Sequence, residues 1–297
     1  MTKTIVIISG KGGTGKTSIT ACLALLAKKA VLADCDVDAA DLHLLLSPKI
    51  QEEKPFISGE QALIDPEKCI NCDKCRRACT FSAINETYAV NPIDCEGCAA
   101  CTLVCPVNAI TMIPSECGKS FISETRAGPM AHAKLFPGKE NSGKLVSLVR
   151  SKAQELAKQN NANFILVDGP PGVGCPVIAS IGNTDIALIV TEPTVSGVHD
   201  LKRALQLTQH FKINSAVLIN KSDINEQIST EIEDFCNSQN IIIAGKIPYT
   251  TEFVKAQLAG QTIIEYIKKE NKDEDSYTPS QRQIITAFRS LREFCFS

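Results

Sequence analysis

The chain opens on an apolar, β-branched run over residues 4–9 (TIVIIS), the pattern of a parallel strand buried on both faces. A loop over residues 10–15 follows. Residues 16–29 then place Ala, Leu and Ile at mixed helical spacing, and residues 30–34 (AVLAD) form a second short strand that ends on acidic residues. Past residue 113 the alternation resumes. Residues 144–159 predict a helix and residues 164–167 a strand. Three further apolar strands are expected over residues 186–190, 216–219 and 241–244, separated by helical patterns over 200–211 and 226–238. Strands alternating with helices predict an α/β fold with a mostly parallel sheet covered on both faces. Residues 268–277 are charged and read as a solvated loop. Ile284, Ile285, Phe288, Leu291 and Phe294 recur at helical spacing, and the polar face beside them holds few cations. That predicts a C-terminal helix docked on the core rather than one lying on a membrane.

Between about residues 60 and 113 the long periodic helices are missing, and a repeat with an offset of 26 residues replaces them. The simplest organisation is one α/β domain over residues 1–58 and 114–297, interrupted by a small module over residues 59–113.

Hydrophobic residues make up 44% of the 297, enough for a sizeable core, and the net charge of −2 offers no bulk attraction to nucleic acid or an anionic membrane. No run reaches the ~18 apolar residues of a membrane-spanning helix. The apolar stretch at the N-terminus is too short for a signal peptide and runs into a glycine-rich loop, so a cytoplasmic location is expected. Cysteine changes the picture: there are 14, and eight of them fall between residues 69 and 105. In a cytoplasmic chain such a density points to metal rather than to disulfides.

Gly10, Lys11, Gly12, Gly13, Thr14, Gly15, Lys16 and Thr17 satisfy G-x-x-x-x-G-K-[ST] between a predicted strand and a predicted helix, the context that this phosphate loop requires. Glycines let backbone N–H groups turn inward around phosphates, and the helix N-terminus adds its positive end. Lys16 is expected to reach the β- and γ-phosphates and Thr17 to ligate Mg²⁺.

Cys69, Cys72, Cys75 and Cys79 form C-x-x-C-x-x-C-x-x-x-C, and Cys95, Cys98, Cys101 and Cys105 repeat it, followed by Pro106. This is the run of bacterial two-cluster ferredoxins, in which the fourth cysteine of each set ligates the other cluster. Cys69, Cys72, Cys75 and Cys105 are therefore expected to hold one [4Fe–4S] cluster, and Cys95, Cys98, Cys101 and Cys79 the second. Zinc is the competing metal for C-x-x-C pairs. Thr80 stands where ferredoxins usually carry a proline.

The extra lysine, Lys11, makes KGGTGKT resemble the deviant Walker A loop of the MinD/ParA group, which includes the nitrogenase iron protein and Mrp-type cluster carriers. The resemblance implies an ATP-dependent homodimer, or a heterodimer with a paralogue, in which Lys11 reaches the partner's ATP. Residues 34–38 (DCDVD) resemble the family's switch I, with Asp36 positioning or activating the attacking water. Residues 164–172 (FILVDGPPG) resemble a Walker B strand and switch II, with Asp168 holding Mg²⁺ through water and Gly169 and Gly172 responding to the γ-phosphate. Asn220, Lys221, Ser222 and Asp223 match the N-K-x-D by which GTPases read guanine, but in the resembled family an Asn here contacts adenine. Pro248 and its neighbours complete the base pocket, and Lys11 favours ATP over GTP.

With both modules the chain closely resembles a MinD-superfamily ATPase with an inserted ferredoxin domain. Residues 140–146 and 168–176 share that likeness. Three functions follow from the resemblance: an ATPase whose cycle gates electron transfer through the clusters, a carrier that delivers clusters, or a positioning ATPase whose clusters sense redox state. The eight ferredoxin cysteines favour the first, with a redox or metal-cluster protein as partner and no nucleic acid or stable membrane insertion. Cys175 lies seven residues after Asp168. By the same resemblance, Cys175, with Cys117, is expected to face the dimer axis and bind a third, bridging cluster or a partner's metal. Cys22 and Cys236 are expected to be packed thiols, and the four histidines show no ligand spacing.

Overall fold

The computed structural model describes residues 2–139, 142–271 and 273–296. Among them are nine strands, β1 (Lys3–Ser9), β2 (Ala30–Asp34), β3 (Lys49–Ile64), β4 (Ile110–Thr125), β5 (Gly128–Leu135), β6 (Phe164–Pro171), β7 (Ile186–Thr191), β8 (Asn214–Asn220) and β9 (Ile242–Ile247). The helices are α1 (Lys16–Leu26), α2 (Leu42–Leu46), α3 (Lys74–Ala78), α4 (Ala100–Val104), α5 (Ser142–Gln159), α6 (Cys175–Ile181), α7 (Val195–His210), α8 (Glu226–Ser238), α9 (Glu252–Leu258), α10 (Ile263–Glu270) and α11 (Pro279–Phe296). The chain divides into two compact units, one of Met1–Glu53, Phe121–Ala133 and Ser142–Ser297, the other of Lys54–Ser120 and Lys134–Asn141.

In the first unit β5, β2, β6, β1, β7, β8 and β9 are neighbours in that order, and each adjacent pair is parallel. Their apolar runs explain the arrangement, since strands buried on both faces need helices above and below. β1, β2, β7 and β8 are almost wholly buried. The order places β1 at the centre, where the winding reverses and strand carboxyl ends open a crevice for a ligand. α1, α10 and α11 cover one face through Ile19, Leu23, Ile264, Ile267, Phe288 and Leu291.

The second unit contains α3, α4, the isolated bridge Ile84–Val90 and a small core around Ala62, Ile84 and Ile110. The chain leaves the first unit along β3 and returns along β4, two neighbouring strands of 16 residues each. This unit takes in residues 54–58, 114–120 and 134–139 besides the 59–113 expected from the sequence.

α10 and α1 differ in extent from the sequence expectation. The charged segment from Lys268 begins as helix: α10 runs to Glu270, started by a capping box in which Thr262 accepts from the Glu265 N–H while the Glu265 carboxylate accepts from the Thr262 N–H. α1 stops at Leu26 instead of residue 29, because Ala27 turns extended and Lys29 takes a positive φ of 57°. Arg282–Phe296 does dock on the core, with Phe288 and Leu291 buried. Residues 140 and 141, the first of the 140–146 stretch, lie outside the described residues, and 142–146 open α5.

Candidate functional site

The phosphate loop joins β1 to α1 at the centre of the first unit. Gly15 caps the helix in the left-handed conformation (φ 92°), and a Cβ there would lie 2.5 Å from Asn220 Nδ2. Gly10 is closed off as well, since a Cβ would lie 2.2 Å from Asp200 Cβ on α7. Gly12 and Gly13 are exposed at the loop tip, while Thr14 and Lys16 are buried. The Thr14 Oγ1 hydroxyl is buried with no partner in the chain. The segment that follows Asp168 is stitched to the loop's root, with Gly172 N–H donating to Ser9 O at 2.9 Å. Gly169 is pressed against β1, where a Cβ would meet Ile8 at 2.7 Å.

Asp34 and Asp168 are register partners at the carboxyl ends of β2 and β6. Burial raises the pKa of both carboxyls; the Asp168 charge adds to the rise of Asp34, whereas Lys16, Thr17 and Thr20 oppose that of Asp168. Asp168 Oδ1 accepts from Thr20 Oγ1 at 2.9 Å. Its Oδ2 is buried with no partner. Asp34 is spent on backbone, accepting from the Asp36 and Leu42 N–H groups. Asp36 is pushed up to about 6, by burial first and by Asp168 against the pull of Lys16. A buried carboxylate with an orphaned oxygen, beside Thr17 and a lysine, suits a hydrated Mg²⁺ on a phosphate chain.

Asn220, at the end of β8, braces the loop: Nδ2 donates to Thr14 O at 2.8 Å, and Oδ1 accepts from the Lys221 N–H. Asp223 accepts from the Tyr249 N–H, and Ser222 N–H donates to Ile247 O, so the N-K-S-D segment and the segment around the buried Pro248 are tied together. Lys11 meets Glu192 Oε1 at 2.6 Å, and Lys221 meets Glu192 Oε2 at 2.8 Å. Sequence reasoning missed Glu192. Burial alone would raise its pKa, but the two lysines outweigh it and hold the carboxyl below the ordinary range.

In the second unit one cavity is lined by Cys69, Cys72, Cys75 and Cys105, and another by Cys79, Cys95, Cys98 and Cys101. Apolar side chains close them, among them Ile64 and Ile110 for the first and Ile84 and Met112 for the second. Backbone N–H groups point at three sulfurs: Ala109 at Cys105 Sγ (3.2 Å), Ala83 at Cys79 Sγ (3.4 Å) and Ala62 at Cys95 Sγ (3.5 Å). Among the described residues no three His, Cys, Asp or Glu side chains converge on a point that would hold a single metal ion.

The remaining thiols divide by burial. Cys22 and Cys236 are packed, pushed up to about 12 and about 11 by burial, and Cys35 is raised further for the same reason. Cys175 is exposed at the start of α6. Cys117 corrects the expectation made for it: it is buried, and its thiol donates to Ser58 O at 3.0 Å, so it presents no free ligand.

The sequence profile of the CobQ/CobB/MinD/ParA nucleotide binding domain matches residues 5–263. The chain belongs to this family. It is 40% identical over 225 residues to the uncharacterized protein MJ0578 of Methanocaldococcus jannaschii, covering 74% of this chain and 79% of that one. The septum site-determining protein MinD of Synechocystis is 23% identical over 278 residues, covering 89% and 82%. Among solved structures, the MinD of Pyrococcus horikoshii complexed with Mg-ADP superposes with a TM-score of 0.60 at 17% identity, over 100% of this chain and 98% of that one. That likeness concerns the fold. As a MinD/ParA-family chain, this protein carries the family's nucleotide-binding domain around its P-loop. No helix among the described residues is long and apolar enough to cross a membrane.

Proposed function

We propose that this protein is a Mg²⁺-ATP-hydrolysing switch that carries two [4Fe–4S] clusters, and that its nucleotide state gates electron transfer through them in the cytoplasm. The observation that carries this reading is the sorting of the eight cysteines: each of two cavities in the second unit is lined by four, in a chain whose other unit bears a P-loop. Each set joins three cysteines of one run to the fourth of the other, the pairing of two-cluster ferredoxins. Four cysteines line each apolar cavity, and the doubled, equally spaced run is that of ferredoxin clusters rather than of a single zinc ion. When bound, the clusters supply one-electron transfer.

The residues of the first unit fit the hydrolytic half. Lys16 binds the phosphates, while Thr17 and the free Oδ2 of Asp168 hold Mg²⁺, the latter through water. Asp36, its carboxyl pushed up to about 6 by burial, orients the attacking water. Lys11 serves the nucleotide of a second subunit, as its deviant-loop position implies. ATP is favoured as the nucleotide, with Pro248 at the base. The chain passes from the segment after Asp36 into the second unit through β3, a covalent route by which switch order could reach the clusters.

A positioning ATPase with a redox sensor is the second reading. It is favoured by the similarity to septum site-determining MinD proteins over most of the chain. Anaerobic purification followed by iron and sulfide analysis, with ATPase rates on oxidised and reduced protein, tests the proposal. About eight iron and eight sulfide per chain support it. Stoichiometric zinc without sulfide overturns it. A hydrolysis rate that changes with cluster oxidation while electron transfer ignores ATP favours the sensor.

A further inference from the structure

Lys11 has no donor to spare. Its ammonium lies 2.6 Å from Glu192 Oε1, 3.1 Å from Ser196 Oγ and 3.3 Å from Thr194 Oγ1. An ammonium has three donors and no more, so a phosphate oxygen can be added only by giving up one of these partners. The dock is firm. Thr194 is the N-cap of α7, accepting from the Gly197 N–H at 3.0 Å, and Glu192 is largely buried, with 11% of its side chain exposed. The second oxygen of Glu192 takes Lys221, which also reaches Gly13 O at 3.2 Å.

We propose that Glu192 is the positioning residue that keeps Lys11 docked in the single subunit, so that Lys11 engages a triphosphate only by exchanging this carboxylate for phosphate. The inference rests on the reading above that Lys11 serves the partner's nucleotide. Lys221 makes the exchange feasible. A buried carboxylate stripped of its only cation is strongly unfavourable, but Glu192 retains Lys221 when Lys11 leaves. The phosphate also replaces like with like, one anion for another on the same ammonium. Glu192 thus sets a threshold: a second subunit bearing ATP must compete with an internal anion, whereas an empty subunit offers Lys11 nothing to exchange for.

The test is sedimentation velocity on full-length protein with its metal content retained, titrated with a non-hydrolysable ATP analogue. Glu192→Gln keeps the shape and removes the charge. It should dimerise at about three- to tenfold lower protein concentration than the parent. The gain must vanish when Lys11→Ala is also present. An unchanged or weakened dimer, or a gain that survives without Lys11, overturns the proposal. Should Glu192→Gln not fold, Glu192→Asp, which withdraws the carboxylate without removing it, must shift dimerisation in the same direction, and a shift in the opposite direction is equally fatal. Failure of the underlying reading is separate: Lys11→Ala alone would then dimerise and hydrolyse ATP as the parent does.

Discussion

Asn220 Nδ2 donates to the backbone carbonyl of Thr14 at 2.8 Å, so the end of β8 holds the phosphate loop from below. Gly15 makes the approach possible, because any Cβ there would collide with the same amide. This bond assigns Asn220 a role in loop geometry, where its sequence context suggested contact with the base. Asn220→Ala leaves the Thr14 carbonyl unpaired, at a cost of about 1–2 kcal/mol. We expect calorimetry to show ATP, ADP and GTP all weakened, by roughly five- to thirtyfold. A loss confined to adenine nucleotides would instead make Asn220 a reader of the base.

The two loop lysines separate binding from turnover. Lys16 is buried in the loop, and Lys11 is partly exposed. Lys16→Ala should abolish measurable nucleotide binding. Lys11→Ala should leave the affinity of the single subunit within about threefold and remove most of the hydrolysis that rises with protein concentration. Nucleotide titration alongside ATPase rates at several protein concentrations checks both. Normal turnover by Lys11→Ala would refute the cross-subunit role.

Asp36 carries a pH signature. Burial raises its folded pKa to about 6, whereas unfolded it titrates near 4. The folded state therefore holds a proton that the unfolded state releases. This group's contribution to stability is full below about pH 4 and is lost as pH rises through about 6. Asp36→Asn removes the titration. In urea denaturation of nucleotide-free protein it should be about 1 kcal/mol more stable than the parent at pH 7, allowing for partial exposure, and equal to it near pH 4. Asp36→Asn should lack ATP hydrolysis at every pH.

The cysteine cavities can be tested one at a time. Cys72 and Cys98 are the exposed member of each set, so their removal disturbs packing least. Cys72→Ala and Cys98→Ala should each lose about half of the iron and sulfide, and the double variant nearly all. Loss of all iron from either single variant would mean that the two cavities do not act as separate sites.

Legibility in the sequence followed locality. The eight residues of the phosphate loop are contiguous, and the cysteine runs repeat at one spacing, so both could be read without a fold. Glu192 could not. It meets Lys11 and Lys221 only because the sheet sets β7 between β1 and β8. Nor was the burial of Cys117 against Ser58 visible, since it depends on a contact across 59 residues. α10 was within reach: Thr262 and Glu265 stand at capping-box spacing about the apolar Ile263, Ile264 and Ile267, but the charges of Lys268, Lys269 and Glu270 suggested a loop. β3 and β4 escaped because their buried positions follow no strict alternation.

The central claim, that nucleotide state and cluster state are linked within one chain, is tested most directly by an anaerobic redox titration followed by EPR, once with ADP and once with a non-hydrolysable ATP analogue. Solvent access and hydrogen bonds to cluster sulfurs set the potential, and both can change with the order of the switch segments. A shift of about 59 mV in a one-electron couple corresponds to a tenfold change, about 1.4 kcal/mol, within the usual range of allosteric coupling. The account predicts that at least one cluster's midpoint moves by tens of millivolts between the two nucleotides. Superimposable titrations, with both clusters present and both nucleotides bound, would contradict it.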